Sequence, residues 1–264
     1  MTTAQADRVS VEPDIIFGNG GGRSLRCDIY RPPAALKKDT SVLLVHGGGW
    51  AQGDRTQLRG FGILLGRLGY TCVATEYRLS GESPWPAQVH DVKACLRWMK
   101  AHAADLAIDP SKVVIEGNSA GAHLSLITAG TPNLPAFEGE GGNPGVDTSV
   151  AATIAVYPPT HFENLLSDPI RALFKGNDTE ATRSAASPLT HARSGHPPAL
   201  LIHGNRDEVV PPDHSTRMYE ALDKAGVPVE LHMYAGQPHG FDESPRLGRQ
   251  VADIMASFVE RYVD

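Results

Sequence analysis

Apolar runs that barely alternate punctuate the chain at Ser41–Val45, Thr71–Thr75, 113–115, Ala152–Val156, 199–202 and 229–233. A strand with one wet face alternates apolar and polar positions, so runs this continuous point to strands buried on both faces, as in a parallel sheet. Between them the period changes. Val89, Val92, Leu96 and Met99 share one helical stripe, and so do Val251, Ile254, Met255 and Phe258. Strands alternating with helices predict an α/β fold, an eight-stranded and mostly parallel sheet flanked by helices. Ahead of this rhythm, residues 14–31 hold two strand-like pieces around Gly18-Asn19-Gly20-Gly21-Gly22. No Lys-Ser/Thr and no helical pattern follow those glycines, so they read as a hairpin loop rather than a phosphate cradle. Residues 131–195 break the rhythm. Apart from the strand near 151, they are rich in Gly, Pro, Asn and Asp, and read as a long surface loop followed by a loose helical insertion at 161–186. Such insertions commonly sit over active sites, and this one is expected to form a partial lid. No repeat or linker divides residues 1–264, which read as one domain.

Composition narrows the partners. The 264 residues carry 24 Lys plus Arg against 30 Asp plus Glu, a net charge of −6, which offers nucleic acid no cationic face. Cys27, Cys72 and Cys95 lie in apolar surroundings without CxxC spacing and are expected to be buried thiols, neither a disulfide framework nor a metal knuckle. The N-terminal stretch lacks a basic region leading into an apolar core, and no run approaches the ~20 apolar residues of a membrane span. The expectation is a soluble cytoplasmic protein with no membrane span. Nothing in the pattern decides oligomeric state, and a homodimer stays compatible with it.

The chemistry gathers at strand ends. Gly117-Asn118-Ser119-Ala120-Gly121 follows the run 113–115 and opens a helical pattern. A GxSxG stretch placed at a strand-to-helix bend needs small neighbours, because the bend crowds any Cβ, and it projects the central hydroxyl from the carboxyl edge of the sheet. Ser119 is thus the candidate nucleophile. A serine needs a base, and the base an orienting carboxylate. Asp207 follows the run 199–202, with Glu208 as its less favoured rival, and His239 follows 229–233 in a loop between Pro238 and Gly240. Of the other histidines, His203 and His232 fall in strands and His90 and His123 on helices, where packing or capping explains them. His46-Gly47-Gly48-Gly49-Trp50 follows Val45 and leaves backbone N–H groups unshielded, as an oxyanion hole requires. No HExxH, CxxC or clustered carboxylates are present to hold a metal, and no cofactor is expected.

HGGGW, GNSAG, the Asp of HGNRDEVVP and the His of QPHGF, in that order, resemble an α/β-hydrolase of the hormone-sensitive-lipase-like esterase group. The stretch 45–98, with HGGGW, GDR, EYRLS, PWPAQ, HDV and RW, is similar to bacterial feruloyl and acetyl-xylan esterase-type enzymes. The resemblance spans nearly the whole chain from residue 14. It implies a metal-free carboxylesterase acting on a small-molecule ester through an acyl-enzyme, with Ser119 as nucleophile, His239 as base and Asp207 as its partner. Gly48, Gly49 and Ala120 would supply the oxyanion N–H groups. Trp50, His161, Phe162 and Val210 are the candidates for the substrate-binding wall. The lipase-like members usually carry a helical N-terminal cap, whereas strand pattern starts here by about Asp14, so an open site favouring short acyl groups is expected. Two rivals remain: an amide hydrolase of the kynurenine-formamidase type, whose HGGxW motif is similar, and a small-molecule receptor on the same fold, which would require a lost triad.

Overall fold

The computed structural model describes residues 8–163 and 167–264. Residues 1–7, and 164–166 within the anticipated insertion, lie outside the described part. Eight strands form one sheet in the order β1-β2-β4-β3-β5-β6-β7-β8: β1 (Ser10–Gly20), β2 (Arg23–Arg31), β3 (Ser41–Val45), β4 (Thr71–Thr75), β5 (Val113–Asn118), β6 (Ala152–Val156), β7 (Ala199–Gly204) and β8 (Val229–Tyr234). The first two form the expected hairpin and pair antiparallel, with β2 in turn antiparallel to β4; the remaining neighbours are parallel. The first strand begins at Ser10, ahead of the apolar positions that mark it in the sequence.

The helices are α1 (Arg59–Arg67), α2 (Ala87–Ala101), α3 (Ala103–Leu106), α4 (Ala120–Gly130), α5 (Pro135–Glu138), α6 (Asp168–Leu173), α7 (Glu180–Ala186), α8 (Asp213–Lys224) and α9 (Pro245–Tyr262). The unbroken apolar runs follow from two covered faces. In β3, Leu43 and Val45 join Val92, Leu96 and Leu124 in one core, while Val42 and Leu44 join Leu65, Met255 and Phe258 in another. Helices α2 and α4 thus cover one face, and α1 and α9 the other. Consecutive side chains point to opposite faces, so burial on both explains why period two vanished from the sequence. All three cysteines are free and buried.

The irregular segment is tied to the body through charge. Lys93, fully buried on α2, donates to Glu138 at 2.7 Å and to the Thr131 carbonyl, and Arg97 reaches the other Glu138 oxygen at 2.9 Å. A buried ammonium survives only with such partners, so this cluster fixes α5 against α2.

Candidate active site

Register places the chemistry. Val45 pairs with Gly117, Asn118 with Val156, and Gly204 with Tyr234, so β3, β5, β6, β7 and β8 all end at one edge of the sheet. The loops leaving that edge carry HGGGW, GNSAG, Tyr157, Asp207 and His239.

Ser119 sits at φ 54° and ψ −118°, strained for a residue with a Cβ. Its N–H donates to the Val156 carbonyl at 2.9 Å, and its own carbonyl accepts the His123 N–H that opens α4. The flanking glycines are obligatory. A Cβ on Gly121 would lie 1.9 Å from the Val45 carbonyl oxygen, and one on Gly117 would lie 2.4 Å from the Gly121 carbonyl carbon.

His239 Nε2 is 3.0 Å from Ser119 Oγ, and its Nδ1 is 2.7 Å from Asp207 Oδ2. A carboxylate only accepts, so the proton rests on Nδ1 and leaves Nε2 to accept from the serine. Asp207 is held on every side: Oδ1 accepts the N–H groups of Val209 and Val210, both at 2.9 Å, and Oδ2 also lies 3.2 Å from His203 Nε2. Burial pushes the Asp207 carboxyl up, but hydrogen bonds from His203, His239 and Val210 outweigh it and hold the group well below the usual carboxylate range. The histidine loop is latched to the acid loop, since Asn205 Oδ1 accepts from the Gly236 N–H and the Gln237 carbonyl from the Arg206 N–H. Glu208 makes no contact with His239 among the bonds of the described residues.

The glycine loop lies against the elbow. A Cβ on Gly47 would be 3.4 Å from Ser119 Cβ, and Tyr77 Oη pins the loop by donating to the His46 carbonyl at 3.0 Å. Gly48 and Gly49 have φ of 104° and 59°, conformations that a side chain resists, and Pro169 of α6 comes within 3.1 Å of where a Gly49 Cβ would stand. Burial lowers His46 to about 4 and so keeps it neutral beside the site.

The four wall candidates are placed differently from expectation. Trp50 is buried, donates from Nε1 to His123 Nδ1 at 3.1 Å and packs on Phe162, which is itself fully buried against Phe174. His161 stacks on His214 with centroids 4.0 Å apart and accepts from Arg217, while Val210 is occupied holding Asp207 and His203. All four are buried, Trp50 and Phe162 within the aromatic core and Val210 bound to the acid loop through its backbone N–H and carbonyl. Two groups next to the site went unsuspected: Tyr157, whose ring centroid is 4.3 Å from that of His239, and Asp242, which accepts from Tyr157 and Asn118. Neither belongs to a recognisable motif; the only signal available was that Tyr157 directly follows a strand of the parallel sheet.

The BD-FAE family model matches residues 27–222. The chain belongs to the BD-FAE family. It is 34% identical over 266 residues to the probable carboxylic ester hydrolase LipM of Mycobacterium tuberculosis, covering 95% of this chain and 60% of that one. Esterase LipQ of the same organism is 33% identical over 93% of this chain and 61% of its own length. The chain thus spans about 60% of the length of these curated relatives. Among solved structures, a thermophilic esterase of Thermogutta terrifontis with propionate bound superposes with a TM-score of 0.82 at 27% identity, over 97% of this chain and 95% of that chain. Such neighbours establish the α/β-hydrolase fold for this BD-FAE chain.

Within that fold, the arrangement of the BD-FAE chain offers a hydroxyl next to an imidazole that a buried carboxylate orients, with glycine backbone alongside. No group of three or more His, Cys, Asp or Glu suited to a metal occurs among the described residues, and no described helix is long and apolar enough to cross a membrane.

Proposed function

We propose that the chain is a serine carboxylesterase of short-chain acyl esters, working through an acyl-enzyme on Ser119. The observation that carries this reading is the relay from Ser119 Oγ through His239 to Asp207, at 3.0 and 2.7 Å, assembled from three separate strand ends. His239 Nε2 takes the hydroxyl proton as Oγ bonds to the ester carbonyl carbon, and the carbonyl π pair moves onto oxygen. That oxyanion is received by the N–H groups of Gly48, Gly49 and Ala120, the last at the positive end of α4. Collapse breaks the bond to the alcohol oxygen, which leaves with the proton from Nε2. Water then attacks the acyl-enzyme, giving a proton to His239, and the acid departs as Ser119 recovers it. No metal or cofactor enters these steps.

The short acyl preference draws support from the relative solved with propionate bound. The segment 131–195 is read as a partial lid within a single domain, and the protein as soluble and cytoplasmic. Ser119→Ala should leave the far-ultraviolet circular dichroism unchanged and lower kcat on p-nitrophenyl acetate by about 10⁶. A fluorophosphonate should label the wild type on Ser119 and spare the variant; residual turnover within tenfold would remove Ser119 from the role. Turnover of N-formyl amides with none of esters would favour an amide hydrolase instead.

A further inference from the structure

Two acids that the relay does not use lie near it: Glu116 on the face of β5 turned towards α9, and Asp242 in the turn after His239. Glu116 lies in register between Leu44 of β3 and Ile154 of β6, is fully buried, and neither of its carboxyl oxygens has a hydrogen-bond partner among the described residues. Asp242, three positions after His239 in sequence, is held quite differently. Tyr157 Oη donates to its Oδ1 at 2.5 Å, and Asn118 Nδ2 donates to its Oδ2 at 2.6 Å. A carboxylate with a donor on each oxygen is stabilised as the anion; one with none, in an apolar setting, is stabilised as the neutral acid. Burial raises the Asp242 carboxyl while its bonds from Tyr157 and Asn118 lower it; with a donor on each oxygen it is the better placed of the two to hold a negative charge. Burial, followed by the charge of Asp242, pushes Glu116 well above the usual carboxylate range, in line with this division.

Tyr157 connects that charge to the triad. Its ring lies at 4.3 Å and 51° to the imidazole of His239. Its backbone is left-handed at φ 43°, and its N–H is bound to the Ile202 carbonyl at 2.7 Å. A bulky residue adopts that conformation only where the surroundings impose it, and such strain gathers at functional positions. An aromatic face attracts a cation, and a phenol hydrogen-bonded to a carboxylate presents a more electron-rich face.

We propose that Tyr157 and Asp242 are positioning residues for His239, which together stabilise the imidazolium formed when His239 accepts the Ser119 proton. Asp207 does this through Nδ1 and the Tyr157–Asp242 pair does it through the ring face. The catalytic consequence rests on the hydrolase reading above; the electrostatic one does not. The groups facing His239 are Ser119 from the elbow, Asp207 from the loop after β7 with His203 behind it, Tyr157 after β6, and Asp242 with Glu116 behind it.

The test separates the two levels. The titration of the His239 ring, followed by NMR and assigned by the signal lost in His239→Gln, needs no turnover. Asp242→Asn and Tyr157→Phe should each move that titration to lower pH, and the double variant should move it little further than the larger single effect, because the two act as a unit. Glu116→Gln, which removes no charge, should leave the curve in place. With ester substrate, the two positioning variants should lose about tenfold in kcat with KM nearly unchanged, and the acid limb of the rate profile should shift with the NMR curve. An unmoved titration in both variants overturns the proposal, as does an equal shift in Glu116→Gln. A wild type that hydrolyses no ester would count against the hydrolase reading and leave the NMR outcome to decide this one. If Asp242→Asn does not fold, Tyr157→Phe, which keeps the ring, decides alone.

Discussion

Replacing Asp207 by Asn tests the triad at its most constrained atom. The carboxylate serves four donors: His239 Nδ1–H and His203 Nε2–H on Oδ2, and the N–H groups of Val209 and Val210 on Oδ1. An amide has only one accepting oxygen. With Oδ1 left on the loop N–H groups, the new NH₂ faces His239 and His203, both of which donate there. His203 cannot turn its proton away, because its Nε2 also serves the Val210 carbonyl at 3.0 Å and its Nδ1 faces Ser215 Oγ. His239 can, by moving its proton to Nε2, but that nitrogen then no longer accepts from Ser119. Flipping the amide leaves two donors against the loop instead, at the cost of two buried N–H groups. The lower-cost outcome is the wrong tautomer of His239, worth about 10⁴ in kcat, or about 5.4 kcal/mol of transition-state stabilisation. Initial rates on p-nitrophenyl acetate, with circular dichroism to confirm folding, read this directly. Glu208→Gln serves as the contrast and should cost less than threefold or so, since surface substitutions without partners change little. A loss below tenfold in Asp207→Asn, or a larger one in Glu208→Gln, would refute the assignment of the acid.

Other perturbations follow from the same structure. Glu116 has its folded-state pKa raised, so the stability tied to its proton is fully present below the unfolded value of about 4.3 and declines as pH rises through the folded one. Glu116→Gln should therefore raise Tm at neutral pH and lose that advantage near pH 4; an equal gain at both pH values would contradict the buried neutral acid. Lys93→Ala removes one of the two buried cations on Glu138, Arg97 remaining, and should cost about 2 kcal/mol in urea unfolding, while exposed Lys37→Ala should be silent. Because each buried methylene contributes up to about 0.8 kcal/mol, and only where a wall covers it, kcat/KM on aryl esters should peak between acetyl and butyryl and fall by octanoyl. A maximum at decanoyl or longer would mean that the segment 131–195 encloses an acyl tunnel.

The sheet and the relay were legible in the sequence for a physical reason. Both-face burial writes continuous apolar runs such as Ser41–Val45, and a serine held at this strand-to-helix bend must be flanked by glycines, as the clashes at Gly117 and Gly121 show. Asp207 and His239 could be found because a parallel sheet delivers its loops to one edge in a known order. The substrate wall could not be found that way. Trp50 and Phe162 have the composition of a pocket lining, yet composition is equally that of a core, and their tertiary neighbours decided for the core. His203 reads in sequence as a strand histidine and packs as one, but it also helps to hold the Asp207 carboxylate, four positions on.

Backbone strain marks the site more sharply than side-chain type does. The residues with positive φ other than glycine are Asp14, Trp50, Ala107, Ser119, Asn133, Asn143 and Tyr157 among the described residues. Asp and Asn visit that region readily, and Ala107 ends a short helix. What remains is Trp50, Ser119 and Tyr157, which follow β3, β5 and β6, three adjacent strands, at the one edge where the relay lies. Each conformation costs of order 1–3 kcal/mol and must be imposed by what surrounds it: Trp50 by its bond to His123, Ser119 by the glycine-lined elbow, Tyr157 by Ile202 and Asp242. A strain that merely closed loops would be scattered among the loops at both ends of the sheet. Its concentration at the ends of three adjacent strands, two of which deliver residues that contact His239, sets Tyr157 beside Ser119 at that edge, although nothing in the sequence around Tyr157 announces it.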